Sequence, residues 1–158
     1  MNINTQIARQ LQDVYFGGNW TDVSLKDGLE GIGWEEATRK VHGFNSIAAL
    51  IYHMNFYVRV AIRVLQGDKP DAKDTDSFGH PPIASHADWQ HLLDRTWSEV
   101  NTLAGMVEQM PEQKLQETFL SEKYGNYFRN LTGITEHVHY HLGQVVLIRK
   151  IIREDTGN

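Results

Sequence analysis

Apolar residues return every three or four positions along four long stretches of the chain, the spacing of one buried helix face. Ile3, Ile7, Leu11, Val14 and Tyr15 make the first stripe, and the FGGN that follows breaks it. Ile47, Leu50, Ile51, Met54, Val58, Ala61, Ile62 and Leu65 make the second. Asn45 or Ser46 is placed to cap its start, and Gly67 ends it. Trp89, Leu92, Leu93, Thr96, Val100, Leu103, Val107 and Met110 make the third, opened by Ser85 and Asp88 in the pattern of a capping box. Leu131, Ile134, Val138, Leu142, Val145, Ile148 and Ile152 make the fourth, which begins near Asn126 or Asn130 and runs to Arg153.

Shorter helical pieces, SLKDGLEGI and WEEATRKV, fall between the first two stripes, the former capped by Ser24 with Asp27. GDKPDAKDTDSFGHPPIAS joins the second and third stripes and reads as a solvated crossover. Its aspartates lack the alternation and fixed glycine of a calcium loop. No stretch alternates with the period of a strand, and no repeat is present. The pattern predicts an all-α protein, a single four-helix bundle over residues 1–158 with one or two long connections.

Composition narrows the classes. A chain of 158 residues is long enough to bury one good core. A net charge of −5 argues against a nucleic-acid partner, which needs a basic face. No apolar run approaches the ~20 residues that span a bilayer, and the first residues lack the apolar core of a secretory signal, so no membrane partner is expected. The chain has no cysteine, which removes thiolate ligands and a cysteine nucleophile and fits a cytoplasmic location. Any transition-metal site must therefore use nitrogen and oxygen ligands, and eight histidines are available.

Three of those histidines crowd into TEHVHYHLGQVVLIRK, residues 135–150. At about 100° per residue, His137 and His141 lie about 40° apart on one face, while His139 points to the other side with Glu136, towards solvent. His141 sits within the margin of the apolar stripe, and His137, Gln144 and Ile148 follow its edge. On the second helix His53 borders the stripe in the same way, with Tyr57 on its side. His42, His80, His86 and His91 share no pattern.

Two imidazoles at i and i+4, with a third from a neighbouring helix, can hold one ion and leave a coordination position open. The bland alternative for each ring is a hydrogen-bonded histidine at the core margin, and it is the better one for His53 taken alone. Three rings at matching edges favour a metal. Two other metal motifs fail. A zinc-protease helix needs glutamate directly after the first histidine, where Val138 stands. A di-iron bundle needs paired E-x-x-H motifs facing inward, and Glu136 to His139 is a single copy facing out.

HLGQ after a tyrosine, with a histidine four residues before its own, resembles the last helix of the DinB-like (damage-inducible) superfamily. SIAALIYHMNFYVRVAIRVLQG resembles that superfamily's second helix, with His53 as its single histidine. The resemblance covers nearly the whole chain. It implies a four-helix bundle with an up-down-down-up path, a divalent metal such as zinc or nickel held by His53, His137 and His141, and a homodimer. Members with known activity include S-transferases and isomerases that use a low-molecular-weight thiol as cosubstrate, so the resemblance also points to thiol-dependent S-transfer on a small-molecule substrate. The alternatives are a metal-dependent hydrolase and a non-catalytic module that binds metal or ligand.

The remaining candidates each carry two readings. Gln144 either orients a ligand or is a surface-edge amide. Tyr57 either donates a proton or packs, with packing favoured. Trp20 either lines a pocket mouth or, the favoured reading, is a buried structural side chain. Val146, Leu147 and Ile151 lie off the main stripe and call for a second buried contact, either a dimer interface or the early short helices.

Overall fold

The computed structural model describes residues 2–155, and the described residues contain helices and turns but no extended strand. Six α-helices follow in order: α1 (Ile3–Phe16), α2 (Leu25–Gly28), α3 (Trp34–Thr38), α4 (Ile47–Leu65), α5 (His86–Gln109) and α6 (Tyr127–Asp155). The all-α expectation holds, and each of the four apolar stripes is a long helix.

The helix starts follow their capping side chains. Ser46, rather than Asn45, caps α4 by accepting from the Ala49 amide. Ser85 caps α5 through the Asp88 amide, and the Asp88 carboxylate reaches back to the Ala84 amide and the Ser85 hydroxyl. These bonds hold the Asp88 carboxyl below the usual carboxylate range. Ser24 and Asp27 form a complete capping box on α2. Asn126 sets the start of α6 by accepting from the Arg129 amide.

Contacts among the long helices close a ring. α1 packs on α5 and α6, and α4 packs on the same two. Their stripes meet in one core that includes Leu11, Tyr15, Ile51, Met54, Leu103 and Val138. α4 qualifies one expectation. It has 19 residues, and an 18-residue window within it has a mean hydropathy of 1.2, long and apolar enough by composition to cross a membrane. In the fold that segment is 61% buried, as suits the central helix of a protein core.

α2 accounts for Val146, one of the off-stripe apolar residues of α6. Gly28 lies so close to α6 that a Cβ there would stand 3.2 Å from Leu142 Cδ1 and 3.7 Å from Val146 Cγ2. Arg149 clamps the contact by donating to the carbonyls of Asp27, Gly28 and Glu30. Val146 and Ile151 pack against the core, whereas Leu147 stays exposed.

The long crossover corrects its reading as a wholly solvated loop. Residues 74–78 form a 3-10 turn packed on α4, with Ser77 fully buried. The reason is chemical. Ser77 and Phe78 have partners on α4 that a count of Asp, Gly and Pro does not show.

Candidate metal centre

α4 and α6 lie side by side, and their histidines meet across the seam. His53 Nε2 stands 3.0 Å from His137 Nε2, which stands 2.9 Å from His141 Nε2. The potential ligand atoms of the three residues all lie within 4.8 Å of one another. His53 and His141 are buried and His137 is half-buried. Helical phase accounts for the pairing of His137 with His141 one turn on. It also accounts for His139, which turns away and bonds the Thr135 carbonyl through Nδ1.

The outer nitrogens decide what the inner ones present. The Ser77 hydroxyl donates to the Asp74 carbonyl at 2.6 Å, so its oxygen accepts the Nδ1–H of His53 at 2.7 Å. Gln144 Oε1 likewise accepts the Nδ1–H of His141 at 2.7 Å. With their protons on Nδ1, both rings turn Nε2 lone pairs inward, as metal-ligating histidines do when an outer partner fixes the tautomer. His137 Nε2 lies between those lone pairs, and its buried Nδ1 has no hydrogen-bond partner among the described residues.

This donor set fits a divalent cation. Tetrahedral nitrogen ligands at zinc distances stand about 3.3 Å apart, within a few tenths of an ångström of the His53–His137 and His137–His141 separations. Burial also suits the neutral, ligating form. It pushes the His137 ring down to about 4, helped by the neighbouring His141 and His53 rings and opposed by Asp74. Burial lowers His53 as well, with His141 adding to the effect and Asp74 again opposing it.

The surroundings give each ring an orientation. Phe78 stacks on His53 at 4.0 Å between centroids and 8° between planes. Tyr57 stands edge-on to both His53 and His137, and its hydroxyl donates to the Asp74 carboxylate. Burial, then the bond to Asp74 and its charge, push the Tyr57 phenol up to about 12. Tyr57 therefore packs, as expected, and is also bonded.

A cleft of about 430 Å³ opens beside His137 and Tyr57 and runs along α6 towards its start. A second of about 380 Å³ adjoins Gln144, between Phe44 and Leu147. Gln144 takes its ligand-orienting reading through His141. The buried reading of Trp20 is overturned. Trp20 is 98% exposed and lines a separate cleft with His139 and Glu136. The turn after α1 projects it outward, because Asn19 folds that segment on itself through Asp13, Thr21 and Val23.

Ser77, Phe78 and Asp74 are the residues that sequence reasoning missed. The signal available was a Ser-Phe pair within a polar crossover, too short to carry a pattern.

No significant match is found to a curated protein or to a solved structure. A family model for the DinB superfamily matches residues 24–145, a span that takes in α2 to the middle of α6 and includes His53, His137 and His141. By that match, the chain belongs to the DinB superfamily.

Proposed function

We propose that the protein is a metal-dependent enzyme that uses His53, His137 and His141 to hold one divalent cation, zinc or nickel, and acts on a small molecule by thiol-dependent S-transfer. The observation that carries this reading is the convergence of three imidazole Nε2 atoms, two of them with lone pairs turned inward by Ser77 and Gln144. The reading extends to a single four-helix-bundle domain over residues 1–158 with an up-down-down-up path, working as a homodimer in the cytoplasm.

A divalent cation held by His53, His137 and His141 would supply Lewis acidity for activating a thiol or water at neutral pH. The residues of the chain would do the rest. Ser77 and Gln144 would hold two ligand rings in the ligating tautomer. Phe78 and Tyr57 would wall the site and exclude water. The cleft beside His137 would admit substrate, and its presence favours an enzyme over a module with a sealed metal.

The test is a transfer assay on metal-loaded protein with common cellular thiols and an electrophilic acceptor. The expected result is thioether formation that is lost in His53→Ala. Hydrolysis of activated esters without thiol transfer would instead support the hydrolase reading. Neither reaction in a fully loaded protein would favour the non-catalytic module.

A further inference from the structure

We propose that the cleft beside His137 is a subsite for a carboxylate, held by Lys123 and Arg129, so that the small molecule handled here carries an anionic tail. This rests on the reading of the histidine cluster as a metal centre.

The cleft is polarised along α6. His137 and Glu136 line one end, and Arg129 and Lys123 line the other. Arg129 precedes His137 by eight residues, about 12 Å along a helix axis. Between them lies Gly133, where an added Cβ would have nothing within 4 Å, so the floor is open.

Arg129 stands apart from the other arginines of the chain. Arg9, Arg39, Arg59, Arg63, Arg95 and Arg153 each face a carboxylate, and Arg149 is spent on backbone carbonyls. Arg129 has no side-chain hydrogen bond or ion pair among the described residues. Its position is nonetheless built. Gly125, at φ +75°, leaves room for it, since a Cβ there would stand 3.2 Å from Arg129 Cδ and 3.5 Å from Nη1.

Lys123 sits on a turn that is tied down. Asn130 donates to the carbonyls of Tyr124 and Asn126, and the Phe119 amide bonds the Gly125 carbonyl. The Lys123 ammonium lies 5.4 Å from the Tyr124 ring, on the wall of the same cleft. An arginine and a lysine held at one end of a cleft, without acidic partners among the described residues, suit a carboxylate. Glu136 carries the opposite charge at the metal end and disfavours the reverse orientation.

The experiment compares mercaptooctanoate with mercaptooctanol on cobalt-loaded protein, reading thiolate coordination by absorption. The carboxylate probe should bind roughly tenfold more tightly, and Lys123→Gln with Arg129→Gln should remove that preference while neutral thiol binding persists. Equal binding of the two probes by the native protein overturns the proposal, as does a preference that survives the double substitution. Absence of cobalt uptake or thiolate coordination would count against the metal centre instead. The carboxylate site is then judged on metal-free protein, by nitrogen NMR of the Arg129 guanidinium during titration with mercaptooctanoate. A shift that vanishes in Lys123→Gln supports the subsite, and no shift overturns it.

Discussion

His53 and Asn55 stand two residues apart on α4, both buried, and face opposite sides of the helix. On the Asn55 side the polar groups answer one another. Tyr15 donates to Asn55 Oδ1 at 3.1 Å, and Asn55 donates to Glu99 Oε2 at 2.8 Å and to the Thr96 carbonyl. Arg59 and Arg95 then pair with Glu99, and Arg59 also lies over the Tyr52 ring. On the His53 side three ring nitrogens face each other, and His137 Nδ1 has no partner among the described residues. A hydrogen-bonded network, with Arg59 Nη2 as its one atom without a partner among the described residues, ties α1, α4 and α5 together. The other side is a cluster of converging ring nitrogens with the spacing to hold a cation.

The contrast predicts opposite consequences of damage. Asn55→Ala should destabilise the protein by about 2–3 kcal/mol, because the Tyr15 hydroxyl and Glu99 lose a buried partner. Metal stoichiometry should not change. Denaturant titration alongside metal analysis checks both halves, and a loss of metal in this variant would erase the distinction between the two sides.

Ser77→Ala should do the reverse. It frees His53 to take the other tautomer and should weaken metal affinity by roughly 10- to 100-fold, as loss of an outer partner does in other metal sites. A competition titration with a chelator measures it. Unchanged affinity would mean that Ser77 merely fills space.

The smallest expected effect is on pH. The folded His137 ring titrates about 4, below its ordinary value of 6.5, so between those values the unfolded chain binds more protons. Stability of the metal-free protein should thus be fully present above pH 6.5 and fall as the pH drops towards about 4. Solvent screening at a half-buried ring reduces the loss to about 1 kcal/mol. Thermal melts across that range should show the slope, and His137→Ala should reduce it, leaving the part that comes from the buried His53 ring.

The two sides also differ in how far the sequence reveals them. His53, His137 and His141 were legible because helical phase alone puts them at matching edges of two stripes. The stripes likewise gave α1, α4, α5 and α6, since burial on one face leaves a period that a single chain displays. Asn55, Glu99 and Arg59 were not legible. Their partners lie on other helices, and a lone polar residue on a stripe carries no sign of what it meets. Ser77 and Phe78 were hidden for the same reason, inside a segment whose composition suggests only solvent. Trp20 failed in the other direction. Its size and apolarity argue for burial, but the turn after α1 holds it outward.

The central claim is that His53, His137 and His141 form a metal site. Metal analysis of the natively purified protein, beside a variant carrying His137→Ala and His141→Ala, tests it most directly. The account predicts one divalent cation per chain in the native protein and none in the variant, whose helical content should stay largely intact. Full stoichiometry in the variant would contradict it, as would a native protein that takes up no divalent cation.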